Sequence, residues 1–180
     1  TQGAKVNLYA QWTPNKYTIK FNGNGNTGGS TASMSMTYDV AKNLTANGFT
    51  KTGHTFNGWN TKSDGSGTDY KNKQSVKNLT SKNGATVTLY AQWTPVKYTV
   101  SYNANGGSGA PANQIKTYGV DLTLSSAKPT RTGYTFVKWN TKADGSGANY
   151  NSGAKYTGNA NLNLYAQWTP IKYTVTYNAN

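Results

Sequence analysis

One heptapeptide, Leu-Tyr-Ala-Gln-Trp-Thr-Pro, occurs three times in this chain, at 8–14, 89–95 and 164–170. One residue after each Pro comes Lys-Tyr-Thr-Ile or Lys-Tyr-Thr-Val, at 16–19, 97–100 and 172–175. Between these blocks Thr-Gly-His-Thr-Phe (52–56) matches Thr-Gly-Tyr-Thr-Phe (132–136). Asn-Thr-Lys-Ser-Asp-Gly-Ser-Gly (60–67) matches Asn-Thr-Lys-Ala-Asp-Gly-Ser-Gly (140–147). The chain therefore divides into the closing strand of a preceding unit (1–14), repeat unit 1 (15–95), repeat unit 2 (96–170) and the opening strand of a following unit (171–180). Unit 2 lacks one residue between its first two strands and five before its last, so the indels mark surface loops. A period this long exceeds that of most solenoid repeats. It predicts small domains in series, each with its own core.

Leu, Ile, Val and Phe make up only 24 of 180 residues, and the formal net charge is +13. That balance alone would favour disorder. Fourteen Tyr and five Trp at regular spacing argue the other way, because large rings can supply the burial that aliphatics do not. Thr, Tyr, Val, Asn and Gly point to strands and turns rather than long helices. The fold class is mainly β, with at most a short helix.

Tyr17, Ile19 and Phe21 alternate with Thr18 and Lys20, the period of a half-buried strand, and Tyr98, Val100 and Tyr102 repeat it. Further strands are expected at Ser35–Tyr38 and Gln114–Tyr118, Thr55–Asn60 and Thr135–Asn140, and Val87–Trp93 and Leu162–Trp168. The segments 40–47 and 120–128 fit either a turn or two of helix or a loop anchored by Leu44, and by Leu122 or Leu124. Phe136 and Trp139 are three apart and cannot share a face of a flat strand. Either a bulge re-aims Trp139 or both faces are partly covered. The core is expected on Tyr17, Ile19, Phe21, Phe56, Leu89 and Trp93, and on Tyr98, Val100, Tyr102, Phe136, Leu164 and Trp168.

Gly-Tyr-Thr-Phe-x-x-Trp (133–139), the Gly-containing turn after it, Leu-Tyr-Ala-x-Trp (164–168) and Tyr-Thr-Val-x-Tyr-Asn-Ala-Asn-Gly-Gly (98–107) together resemble the Listeria–Bacteroides repeat, the B-repeat type of internalin B and many bacterial surface proteins. The resemblance covers both units and both terminal segments. It implies a β-grasp, ubiquitin-like fold, a mixed sheet with a short helix or loop across it. It also implies extracellular tandem modules serving as stalks or adhesive segments. Unit 1 departs from unit 2 with His54 for Tyr134 and Phe49 for Pro129.

Catalytic chemistry finds little to work with. There is no Cys, hence no disulfide, thiolate metal site or Cys nucleophile; this suits an exported bacterial protein. His54 is the only His and gives way to Tyr134 in unit 2, which argues against a triad. The five acids are all Asp, and only Asp64 and Asp144 correspond, so paired carboxylates are not expected. The Asp-Gly-Ser-Gly segments read as hairpin turns rather than Ca²⁺ loops, which need several oxygens and a late bidentate carboxylate. A Lys–Asn isopeptide bond would need a buried Lys, an Asn and an acid, and no acid falls in an expected strand. The Gly-rich 103–109 segment lacks a P-loop ending. Asn-x-Thr at 43–45 and 78–80 is expected by chance in so Asn- and Thr-rich a chain. No enzyme, cofactor or metal is expected.

The Lys residues are dispersed, as on a solvated surface, yet an excess of this size also draws polyanions. The candidate polyanion contacts are Lys62, Lys71, Lys73, Lys138 and Lys142. One Arg in the whole chain argues against sequence-specific nucleic-acid reading. The expected role is a non-catalytic stalk or adhesion segment, spacing or presenting a binding region. The alternative is a module binding teichoic acid, glycosaminoglycan or another glycan through exposed Tyr and Lys. The expected setting is extracellular, on a bacterial surface or secreted. No apolar run reaches a membrane span and no signal segment opens the chain. Neighbouring repeats are the expected partners, and Pro95 should stiffen the link between units. The strands in 1–14 and 171–180 would expose unpaired edges, which predicts fraying or head-to-tail association.

Overall fold

The computed structural model describes Gly3 and residues 5–178; residues 1, 2, 4, 179 and 180 of the two terminal segments lie outside the described residues. The chain separates into two compact units at Thr94/Pro95. Unit 1 contains β1 (Lys16–Asn22), β2 (Gly28–Gly29), β3 (Met34–Thr37), β4 (Lys42–Asn43), β5 (Phe49–Thr50), β6 (His54–Asn60), β7 (Asp69–Tyr70), β8 (Ser75–Val76) and β9 (Thr86–Pro95). Five of them form a mixed sheet in the order β3-β1-β9-β6-β7. The first and last strands of the unit pair in parallel, with Ile19 opposite Val87 and Phe21 opposite Leu89. Strand β3 runs antiparallel on the other side of β1, placing Met36 opposite Tyr17.

Unit 2 repeats this order. Its strands are β10 (Lys97–Asn103), β11 (Gln114–Thr117), β12 (Leu122–Thr123), β13 (Tyr134–Asn140), β14 (Asn149–Tyr150), β15 (Lys155–Tyr156) and β16 (Leu162–Pro170). The sheet runs β11-β10-β16-β13-β14. Among the described residues there is no helix; the fold is all strand and turn. The ambiguous segments resolve as loops bearing two-residue strands. They are anchored by Leu44, 2% exposed, and Leu124, 1% exposed. Leu122 packs only at the edge of the core.

Strand alternation puts Tyr17, Ile19, Leu89 and Ala91 inside unit 1, and Val100, Leu164 and Ala166 inside unit 2. The expected cores need correction at their centres. Trp59 and Trp139 are each 0% exposed, whereas Phe21, Phe56 and Trp93, and Phe136 and Trp168, are half-buried rings packed around them. Tyr98 is also only half-buried. The cause is the bulge. Phe136 pairs with Trp168 and Lys138 with Gln167, so Val137 is the extra residue and is half exposed. That insertion turns Trp139 to the side of Phe136, with ring centroids 5.1 Å apart. In unit 1 the Phe56 and Trp59 rings lie 5.0 Å apart, and Gly58, just before Trp59, has φ 139°.

The terminal segments carry no strand among the described residues. Leu8, Trp12, Tyr173, Val175 and Tyr177 are exposed.

Candidate functional site

The recurrent Asp-Gly-Ser-Gly segments form the loops between β6 and β7 and between β13 and β14. Each folds around an Asn at the end of the long strand. Asn140 is fully buried. Its Nδ2 donates to Gly145 O, Gly147 O and Asn149 Oδ1, and its Oδ1 accepts from the backbone N–H of Lys142 and Gly147. Asn60 repeats the arrangement, with Asp69 Oδ1 in the place of Asn149 Oδ1 at 2.7 Å. This explains why Asp69 can become Asn149, since either oxygen accepts the same hydrogen bond. Asp64 and Asp144 close tight turns by accepting from the N–H of Ser66 and Ser146, each at 2.9 Å. Those N–H groups, then the serine hydroxyls, hold both carboxyls below the ordinary value. Sequence reading found the turn and missed Asn60 and Asn140. Their identical spacing to the Gly residues was the available signal.

His54 Nδ1 lies 2.9 Å from Thr52 O, and its counterpart is Tyr134. Among the described residues no three His, Asp or Glu side chains gather as a metal site would require.

Lys116 brings together two of the three parts of an isopeptide site. It is 1% exposed and stands opposite Tyr98 where unit 1 has Met36 opposite Tyr17. Its Nζ donates to Thr117 O at 2.9 Å and to Asn159 Oδ1 at 3.2 Å. The third part is missing. Asn159 Oδ1 accepts from Gly119 N–H, while the matching Asn78 of unit 1 binds both the N–H and the carboxylate of Asp39. Unit 1 thus has the Asn and the acid with Met36, and unit 2 the Lys and the Asn with Gly119.

The candidate polyanion contacts are divided between the units, Lys62, Lys71 and Lys73 in unit 1 and Lys138 and Lys142 in unit 2. Lys62 and Lys142 are exposed on the two loops just described, and Lys71 and Lys73 lie in the turn after β7. Lys138 is half-buried in β13 beside the bulge. None of the five lines a groove of about 1040 Å³ within unit 2. Its cations are Lys128 and Arg131, and no carboxylate lines it. The turn at Arg131–Tyr134 opens β13 and lays the guanidinium over the Tyr134 ring, 3.9 Å from its centroid. Trp168 forms another part of the groove, its Nε1 donating to Ala104 O and Asn105 O, both at 3.0 Å. A Cβ on Gly107 would meet Thr130 O and lie 2.6 Å from the Trp168 ring, so glycine lets that ring and Thr130 sit where they do.

No helix among the described residues is long and apolar enough to cross a membrane. The family model for the Listeria-Bacteroides repeat domain matches residues 17–92 and again 98–167. A Gly-rich protein of Evansella cellulosilytica, whose provisional name assigns it to a membrane, is 34% identical over 96% of the chain. A second protein of that organism, also provisionally named for a membrane, is 34% identical over 89%. Internalin H of Listeria monocytogenes is 35% identical over 67%. The aligned region makes up 19%, 23% and 20% of the lengths of these relatives.

Proposed function

The chain belongs to the Listeria–Bacteroides repeat family, a family found in bacterial surface proteins such as internalins, and from that premise we propose that it is a non-catalytic segment of a bacterial cell-surface protein, spacing or presenting a binding region carried elsewhere. One observation carries this reading. The chain builds the same five-stranded sheet twice, and only Val96 separates the last strand of unit 1 from the first strand of unit 2. A series of self-contained cores on minimal linkers gains length with each unit added. The polar networks support the reading, because in both copies they are spent on holding turns. An extracellular setting fits the family.

The test is small-angle scattering on chains of one, two and four units. A maximum dimension that grows by a constant increment per unit is expected. A particle that folds back into a compact body would overturn the spacer role.

A second reading, binding to anionic glycans, is favoured by the charge. Against 18 Lys and Arg there are five Asp. Among the described residues one ion pair forms, Lys155 with Asp121 at 3.3 Å, and it is exposed. Most cations therefore remain available. Retention on heparin that falls with salt, and exceeds that of a charge-matched unrelated protein, is the expected result.

A further inference from the structure

We propose that the groove around Arg131 in unit 2 is a subsite for a hexuronate residue of an acidic polysaccharide. The proposal rests on the second reading above and gives it a location and a sugar.

The first argument is the state of the guanidinium. The Arg131 guanidinium lies over the Tyr134 ring, 3.9 Å from its centroid, and close to Gly106, where a Cβ would come within 3.4 Å of Cζ and Nη1. One face is occupied by the ring, and the N–H donors lie in the plane, at the edge. Among the described residues those donors have no hydrogen-bond or ion-pair partner. A guanidinium held in this way is a ready fork for a carboxylate, binding through two parallel hydrogen bonds. Lys128 adds a second positive charge to the same groove.

The second argument is the wall. Half-buried Phe136 and Trp168 give the groove apolar surface, and Ser108, Thr130 and Thr135 line it too. A pyranose has an apolar C–H face and a rim of hydroxyls, and concave sites of this mixed kind suit it. A polyol phosphate carries the charge but has no ring to meet the apolar wall, so the commitment is to a uronate.

The third argument is internal to the chain. The groove-bearing positions differ between the two units while the fold does not. Unit 1 has Asn26, Phe49, Lys51 and His54 where unit 2 has Gly107, Pro129, Arg131 and Tyr134. Phe49 packs toward the core, its ring 6.2 Å from that of Trp59, and Lys51 lacks the planar fork. Unit 1 therefore serves as the control present in the same molecule, and its residues show which substitutions the fold accepts.

The experiment is a titration of the ¹⁵N-labelled whole chain with a galacturonate tetrasaccharide. Amide shifts are expected at 106–108 and 128–136 and at the Trp168 indole, with the matching region of unit 1 unmoved. Arg131→Lys keeps the charge and removes the fork, and should weaken binding about tenfold, the scale of charged hydrogen bonds. Tyr134→His should weaken it as well, by removing the support. A glycerol phosphate oligomer of equal charge should bind more weakly than the uronate. Shifts spread over the exposed Lys residues, equal affinity of Arg131→Lys, or equal affinity of the two oligomers would each overturn the subsite. If heparin retention persists in that event, the second reading stands without the groove; if retention is also absent, both fall.

Discussion

At the residue scale the four tryptophans of the two units separate into two kinds. Trp59 and Trp139 sit at the core centres with no hydrogen-bond partner for either indole nitrogen, so they contribute through packing. Trp93 is half-buried and donates to Gly23 O at 2.8 Å, tying the first loop to the last strand. Trp59→Ala should cost about 3–5 kcal/mol, and Trp93→Ala less, because less of its area leaves water on folding. Urea unfolding followed by hydrogen exchange in each unit would rank them, and the reverse order would refute the assignment. Lys116 is the other informative residue. Burying an ammonium costs desolvation that two hydrogen bonds offset only in part. Lys116→Met copies the solution of unit 1 and should stabilise unit 2 by about 1–2 kcal/mol. Slower exchange of unit 2 amides in the whole variant chain would show it; faster exchange would mean that Thr117 O and Asn159 need the donor. The bulge that re-aims Trp139 was one of the two readings its spacing allowed, and the structure bears it out, but the place of Trp139 at the core centre was not legible, and Lys116 looked like one more surface cation.

The elements show how copies with different residues keep one architecture. The hairpin loops depend on Asn60 and Asn140, and on glycines that leave room for them. A Cβ on Gly147 would lie 2.8 Å from Asn140 Oδ1. Asn140→Ala would remove the acceptor of two part-buried backbone N–H groups, those of Lys142 and Gly147, and should cost about 1–3 kcal/mol. Ca²⁺ should do nothing here, because Asp64 and Asp144 are engaged in closing their turns. Thermal unfolding in EDTA and in millimolar Ca²⁺ should coincide, and a Ca²⁺-dependent rise lost in Asp64→Ala/Asp144→Ala would refute the turn role. Strand β10 differs from β1 in carrying Tyr102 where β1 has Phe21. The Tyr102 hydroxyl donates to Gln114 Oε1 at 2.5 Å and accepts from Ser125 N–H at 2.9 Å. Burial raises its pKa above the ordinary 10.0, and burial together with the Tyr150 charge does the same for Tyr156. A raised folded value means stability that is complete below pH 10.0 and is lost as pH climbs through it. Unit 2 should therefore soften at alkaline pH more than unit 1, and Tyr102→Phe should reduce that loss; equal softening of both units would contradict it.

For the whole molecule the open question is what the terminal segments do. Leu8, Tyr9 and Trp12 at one end, and Tyr173 and Tyr177 at the other, are each at least 79% exposed. Unpaired extended segments with large apolar side chains are templates for other chains. Light scattering should show concentration-dependent association for residues 1–180 and none for a chain trimmed to 15–170; equal monomers would mean that the ends are simply loose. The repeat, its β character, the places of the first and last strands and the turn loops were legible along the chain. All of these rest on local period, turn chemistry or self-similarity, which are written along the chain. Tertiary structure alone decided which rings are central, because one extra residue in β13 flips every later side chain to the other face. It decided that Lys116 goes inside. It also created the groove at Arg131, where Gly107, Pro129, Tyr134 and Trp168 come from separate elements that only the folded sheet brings together.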